Sequence, residues 1–267
     1  MRQLVQTSSY LIEAAVGFVL LAASPLGAQT ANLYLVDPGS GAYLANIYTS
    51  PYDGSINGGA TVPVICDDFA DETYVAEAWT ANVTSLSAIT SETSTNTTVK
   101  WADAAFNTGI SQAQAYEAAA ILSVDILQST SGSLTQELYS YALWALFDPN
   151  GTLANPGAIA WLNANGDSQY VNTIDGYVNA AIADVTNPAA RINGQTLSQY
   201  LSNYNVTIYS YNGGGTTCPG GSCPPPPQEF ITVTTPEASS VILTAVDLVG
   251  FLALFGLLRK RASQSIS

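Results

Sequence analysis

The chain has 267 residues, of which 6 are Lys or Arg and 20 are Asp or Glu, and it carries a formal net charge of −14 with no histidine. Proteins that bind nucleic acid need a basic surface to neutralise phosphates, so this charge excludes nucleic acid as a partner. The absence of histidine excludes Ser-His-Asp and Cys-His catalysis and imidazole metal sites.

The first 28 residues predict a secretory signal peptide. Arg2 provides the positive start, residues 14–23 form an apolar core, and Pro25-Leu26-Gly27-Ala28 ends in small residues. An apolar run of about ten residues is too short to cross a hydrocarbon core of about 30 Å. We therefore expect cleavage after residue 28, with an uncleaved N-terminal anchor as the alternative.

Extended segments precede helical ones in the body of the chain. Alternating β-branched and aromatic residues between turn residues predict strands, and apolar residues at helical spacing after Ser111 and Ser133 predict helices. The predicted elements are a hairpin over 32–48, strands over 61–66 and 74–83, helices over 112–128, 133–147, 156–161 and 172–185, and a strand over 205–211.

This order of elements predicts one extracytoplasmic α+β domain over residues 29–211, with short antiparallel strands around a central helical segment. The predicted fold class also includes the N-terminal signal and a C-terminal transmembrane helix.

Four carboxylates crowd into the residues that follow Cys66. They are Asp67, Asp68, Asp71 and Glu72. Calcium binds such oxygens, but the Asp-x-Asp-x-Asp-Gly pattern of a calcium loop is missing. Adjacent carboxylates at a strand end also point apart, which does not suit the acid and base of a glycosidase. We interpret the segment as a solvated acidic turn and expect no metal and no cofactor.

Residues 212–234 predict a linker between the domain and the C-terminal segment. The stretch is rich in Gly and contains four consecutive prolines, which favour an extended chain that buries no core. Cys218 and Cys223 enclose four residues within it, and export makes a disulfide between them the expected state. Cys66 is then the unpaired cysteine.

Residues 241–258 predict a transmembrane helix. Eighteen helical residues rise about 27 Å, which is enough to span a bilayer. The basic residues Arg259, Lys260 and Arg261 follow at once and are expected to stay in the cytoplasm, leaving the acidic domain outside. A buried helix of a soluble domain is the alternative.

The segment 235–261 resembles the PEP-CTERM sorting signal of exported bacterial proteins. Pro236 and Glu237, the apolar stretch and the terminal basic residues carry the resemblance, and Ala238 stands where the motif usually has Pro. The resemblance implies recognition by an exosortase, a membrane-embedded Cys transpeptidase, with cleavage near Pro236 and release or transfer to the surface. A single-pass anchor without processing is the alternative.

Two segments of the body resemble the thioester domains of bacterial surface adhesins. Cys66 precedes Asp67 at a strand end, and Ala142-Leu143-Trp144 lies on a later helix, as in the family's Gln-x-Ala-aliphatic-Trp motif. The resemblance implies an internal Cys–Gln thioester that amines or hydroxyls attack to form a covalent bond.

The position that should hold the motif Gln is Ser140, which has no carboxamide. Gln136 lies one helical turn earlier, about 6 Å along the axis. A strained bond needs its partners held closely, so Gln136 is a poor substitute. We expect the fold without the bond, with Cys66 as a small buried hydrophobe and Trp144 in the core.

These patterns predict an exported, non-enzymatic protein of the envelope or extracellular matrix that acts by adhesion or interaction. Its expected partners are an exosortase-type transpeptidase, the membrane through the C-terminal helix, and glycans or other surface proteins. We expect it in the inner membrane with a cytoplasmic C-terminus, and at the cell surface or outside once processed. A covalent thioester adhesin acting through Cys66 and a carbohydrate-active enzyme are the alternative functions.

Overall fold

The structure is a computed structural model that describes residues 29–39, 41–91, 95–101, 109–148, 157–219, 221 and 226–236. In chain order its elements are β1 (Gln29–Asp37), β2 (Tyr43–Leu44), β3 (Ile47–Tyr48), β4 (Tyr52–Ile56), β5 (Thr61–Cys66), β6 (Ala78–Ser85), α1 (Leu86–Ser91), α2 (Gln112–Gln128), α3 (Leu134–Phe147), α4 (Ala158–Ala164), α5 (Val171–Thr186), α6 (Leu197–Leu201), β7 (Asn205–Thr217) and β8 (Phe230–Thr234).

Six of these strands close into a barrel in the order β1-β4-β5-β8-β7-β6, and every neighbouring pair is antiparallel. Leu33 of β1 pairs with Trp79 of β6, and Cys66 of β5 pairs with Phe230 of β8. Closure gives each of the six strands two partners, which removes the free sheet edge that invites aggregation. β2 and β3 form a separate two-stranded sheet.

The predicted α+β class of short antiparallel strands around a central helical segment is wrong, because the strands form a closed barrel. The predicted hairpin over 32–48 is also wrong, since β1 pairs with β4 and β6. Barrel closure depends on pairings such as Ile65 with Ile231, which join segments far apart in the chain. Local sequence patterns carry no signal for a pairing of this kind.

The folded domain continues past Tyr211, so the predicted linker over 212–234 is corrected. β7 extends to Thr217, and the whole of β8 lies inside the predicted linker. Residues 230–233 of β8 are buried in the barrel wall. The Gly and Pro content of the segment obscured a short β-branched run, Phe-Ile-Thr-Val-Thr, that follows the prolines.

The helices predicted to end at Gln128 and Phe147 are confirmed as α2 and α3. The Ser111 side chain caps α2 and forms a capping box with Gln114, and Ser133 caps α3. α2, α3 and α5 pack against one another, and α2 also contacts β8. Most residues of α3 are buried, as expected for a helix with packing partners on several sides.

Within the described ranges, no helix combines the length and the apolar character needed to cross a membrane. This finding gives no support to the transmembrane helix in the predicted fold class. The predicted signal peptide 1–28, the apolar segment 241–258 and the basic cluster Arg259, Lys260 and Arg261 lie outside the described residues.

Candidate functional site

The structure brings the two segments of the adhesin-like pattern together at Ser50. The Cys66 N–H donates to Ser50 Oγ over 2.9 Å. The Ser140 hydroxyl lies 3.2 Å from the carbonyl oxygen of Ser50 and 3.2 Å from that of Gln136. The strand end and α3 are therefore neighbours, as the resemblance implies, but the side chain at the motif position is a hydroxyl.

Gln136 has a different role in the structure. Its Nε2 donates to the carbonyl oxygen of Ile126 over 2.9 Å, and its Oε1 accepts the N–H of Gly132 over 2.9 Å. The nitrogen and the oxygen of the carboxamide thus both form hydrogen bonds that stabilise the turn between α2 and α3. A buried amide with satisfied partners is not available as the acyl donor for Cys66.

The Cys66 side chain is fully buried, as expected. Its Sγ donates to the carbonyl oxygen of Asp68 over 3.1 Å. Burial raises the pKa of the thiol well above its ordinary value, and the charges of Asp68 and Asp67 act in the same direction. The thiol therefore stays protonated at neutral pH, and a protonated thiol is a weak nucleophile.

The acidic turn after Cys66 is not the solvated surface feature that we expected. Asp67 and Asp68 are both fully buried. Lys100 Nζ forms an ion pair with Asp68 and a second one with Asp71, where Nζ and Oδ2 are 2.7 Å apart. The turn folds inward because a cation and several backbone N–H groups replace the water that these carboxylates lose.

Backbone donors surround the Asp68 carboxylate. Its Oδ1 accepts the N–H of Ala70 over 2.9 Å and that of Asp71 over 3.3 Å. Its Oδ2 faces Lys100 and accepts the N–H of Glu229 over 3.4 Å. Both oxygens of this carboxylate are therefore held in place.

Glu229 is the second centre of the cluster. It is 1 % exposed and precedes β8. Its Oε1 accepts the hydroxyl of Tyr116 over 2.6 Å, and its Oε2 accepts the Lys100 backbone N–H over 2.7 Å and the hydroxyl of Ser210. These donors come from α2, the segment 95–101 and β7, so one carboxylate ties the helices to the barrel.

Asp67 is buried in the same cluster as Glu229. Among the described residues, no N–H or O–H group donates to either oxygen of the Asp67 carboxyl. Burial raises the pKa of Asp67 well above its ordinary value, and the charge of Glu229 and hydrogen bonding to it act in the same direction. Burial and the charge of Glu229 thus both favour the neutral form of the Asp67 carboxyl.

Burial also raises the pKa of Asp68, to about 6, although Lys100 opposes the shift. For Lys100, burial acts to lower the pKa, but Asp68 and Asp71 outweigh it and the pKa rises. Burial outweighs the ion pair in its effect on the pKa of Asp68, because that side chain is fully enclosed. It does not outweigh the ion pairs at Lys100, whose side chain is 25 % exposed.

A cavity of about 750 Å³ opens beside the acidic turn. Its wall contains Asp71 and Glu72 from the turn and Trp144 from α3. The aromatic side chains in its lining are Tyr48, Tyr52, Phe69, Tyr74, Trp144, Trp161 and Phe230. A concave surface that combines aromatic faces with a few polar groups is typical of a ligand site.

The aromatic wall has a rigid base and an exposed rim. Phe69 packs against Trp144 with ring centroids 5.2 Å apart, and Trp161 Nε1 donates to the carbonyl oxygen of Ala45 over 2.8 Å. Tyr48 and Tyr74 are 48 % and 46 % exposed. The two rim tyrosines can therefore contact a ligand while the aromatic residues at the base stay packed.

The other sites that the sequence predicts lie apart from this cavity or outside the described residues. Cys218 is disulfide-bonded and Cys66 is a free thiol, whereas Cys223 is not among the described residues, so their pairing stays a prediction. Pro236 is the last described residue, and Glu237 lies beyond it. In the part of the chain that the structure describes, no set of three acidic or cysteine side chains is placed to hold a metal ion.

The sequence analysis did not identify Lys100, Glu229 or the aromatic cavity. One signal for Lys100 was present, because it and Arg191 are the only basic residues between Arg2 and Arg259. Glu229 follows four prolines in the predicted linker, where no local pattern marks it as buried.

The chain was also compared with protein-family models, with curated proteins and with solved structures, and none of the three comparisons finds a match.

Proposed function

We propose that this chain is an exported, non-enzymatic protein of the cell envelope or extracellular matrix, and that it acts by adhesion through the aromatic cavity. The observation that supports this proposal is the concentration of exposed aromatic side chains at one concave site. Six large hydrophobic side chains are exposed among the described residues, and Tyr48, Tyr74 and Val75 of these six line the cavity. Exposed apolar groups gathered in one place mark an interaction surface.

The chemistry of the cavity favours uncharged polysaccharide as the ligand. Sugar rings present apolar C–H faces that pack on aromatic rings and hydroxyls that donate to carboxylates and tyrosine oxygens. Glu72 and Asp71 provide such acceptors in the wall. The net charge of −14 disfavours polymers of acidic sugars, because like charges repel during encounter and binding.

Electrophoresis of the full chain through native gels that contain a neutral or an acidic polysaccharide tests this function. We expect retardation by the neutral polymer and none by the acidic one. Tyr48→Ala and Tyr74→Ala should each weaken retention by about 2- to 10-fold, the range for loss of one aromatic contact. Tyr34→Ala is the matched control, because Tyr34 is 41 % exposed but lies on β1 outside the cavity lining.

Retention that Tyr48→Ala and Tyr74→Ala leave unchanged would contradict the assignment of the cavity. Release of reducing ends from the polymer, lost on Glu72→Gln, would support the enzyme alternative and would end the non-enzymatic proposal.

The proposed route to the surface is sorting of the segment 235–261 by an exosortase-type transpeptidase, with the membrane holding the chain beforehand. The resemblance of this segment to a PEP-CTERM signal supports the route. The structure adds that the folded barrel reaches Thr234, so a cut near Pro236 would leave the whole domain intact.

Mass spectrometry of the protein from membrane and medium fractions should find a C-terminus near Pro236. Finding Arg259 to Arg261 on every molecule would contradict sorting.

A further inference from the structure

The contact between Lys100 and Asp68 performs no task in the proposed binding function, although its arrangement is specific. Lys100 is the only lysine between residues 29 and 258. Its ammonium group contacts a fully buried carboxylate, that of Asp68, whereas most lysines extend into water. Such a placement brings the lysine nitrogen against a carboxyl oxygen, one bond away from the carboxyl carbon.

Three contacts fix the direction from which the Lys100 side chain approaches. Its backbone N–H is held by Glu229 Oε2 at 2.7 Å. Its Nζ lies 4.9 Å from the centroid of the Trp101 ring, and that ring stacks on Phe147 with centroids 5.2 Å apart and an interplanar angle of 8°. The amine thus lies against an aromatic wall, and the Lys100 side chain stays 25 % exposed.

We propose that Lys100 and Asp68 become joined by an amide bond between their side chains, a self-formed cross-link that ties the turn after β5 to the segment before α2. The proposal concerns the contact between Lys100 and Asp68 and does not depend on what the cavity binds, although Asp71 also lines the cavity.

The surrounding groups match the needs of this condensation. Asp71 Oδ2 lies 2.7 Å from Lys100 Nζ and can accept the proton that the ammonium loses as the bond forms, although the two carboxylates raise the pKa of this ammonium. The N–H groups of Ala70 and Asp71 point at Asp68 Oδ1, where negative charge develops when the amine adds. Holding nucleophile and carbonyl together replaces an encounter with an effective concentration of about 10⁵–10⁸ M.

The step balances without a further reagent. A bond forms between Lys100 Nζ and Asp68 Cγ, the bond from Cγ to Oδ2 breaks, and the oxygen leaves as one water molecule. The ammonium and carboxylate charges disappear together, so nothing is oxidised or reduced. The product replaces a buried ion pair, whose desolvation is costly, by a neutral amide.

Mass spectrometry and trypsin cleavage of the denatured full chain test the proposal. After reduction of disulfides, we expect a mass lower by about 18 Da, the loss of one water, than the mass calculated for the same chain with its observed termini. Trypsin should leave the bond after residue 100 uncut, because a lysine in amide linkage is not recognised, and cleavage after Arg191 in the same digest is the internal control. Tandem spectra should place the linkage between residues 68 and 100.

The unshifted mass together with cleavage after Lys100 would overturn the proposal. So would a loss of about 17 Da that methylamine reverses, because ammonia is lost when a Cys–Gln thioester forms.

Lys100→Arg is the matched variant, since it keeps the positive charge but forms no amide. It should show the full sequence mass and a midpoint of thermal unfolding roughly 10 °C lower, because the lost cross-link no longer restricts the unfolded chain. Asp71→Asn should slow the formation of the link at least tenfold after synthesis. Formation at the original rate in Asp71→Asn would overturn the assignment of Asp71 as the base.

Discussion

Replacing Trp144 by alanine is expected to lower the free energy of unfolding by about 3–5 kcal/mol, the cost of emptying a buried aromatic site. Trp144 is 1 % exposed, and its ring packs on Phe69 and on Tyr141 with centroids 5.2 and 4.9 Å apart. Domains of this kind have only about 5–15 kcal/mol of stability in total. The loss is therefore a large fraction of the total stability.

Urea unfolding followed by circular dichroism measures this effect. Trp161→Ala is the matched control, because Trp161 lines the same cavity but is only partly buried. We expect it to cost about 1–2 kcal/mol, in proportion to the smaller apolar area that it buries. Equal costs for the two variants would show that Trp144 is not the packing centre between α3 and the acidic turn.

Replacing Glu229 by alanine is expected to cost about 3–5 kcal/mol, the range for breaking a buried charged network. The change removes the acceptor of the Tyr116 hydroxyl, of the Ser210 hydroxyl and of the Lys100 backbone N–H. All three donors would lose this acceptor in the interior.

A double-mutant cycle with Tyr116→Phe isolates this network from general damage. Tyr116→Phe alone should cost about 1–2 kcal/mol, because Glu229 loses one donor. In the Glu229→Ala background the same change should cost less than about 0.5 kcal/mol or stabilise, since the hydroxyl that it removes is already unsatisfied. Additive costs, measured by urea unfolding, would contradict a direct bond between the two side chains.

The helices could be predicted from sequence because their signals are local. Ser111 and Ser133 precede regular apolar patterns, and the structure has α2 and α3 there. The barrel could not be predicted, because its last strand has five residues and pairs not only with β7 but also with β5, which precedes the helices. The energy that holds β8 in place comes from tertiary pairing and burial, which no local window contains.

The candidate site was predictable only where a motif marked it. The two segments that carry the resemblance to thioester adhesins, Cys66 and α3, are neighbours in the structure. It gave no indication that Asp67 and Asp68 would be buried, because their burial depends on Lys100. This cation comes from a Ser/Thr-rich stretch without a helical or strand pattern, and only its rarity in the chain distinguishes it.

Titration of tryptophan fluorescence with a neutral oligosaccharide tests most directly whether the cavity is the adhesive site. Trp144 and Trp161 both line the cavity, so an occupant should change the emission of the full chain in a saturable way. We expect Tyr48→Ala to shift the titration to higher concentration and Trp161→Phe to diminish its amplitude. If neutral oligosaccharide leaves the emission unchanged while the protein still binds the polymer, or if only acidic oligosaccharide saturates the signal, the account of this cavity is wrong.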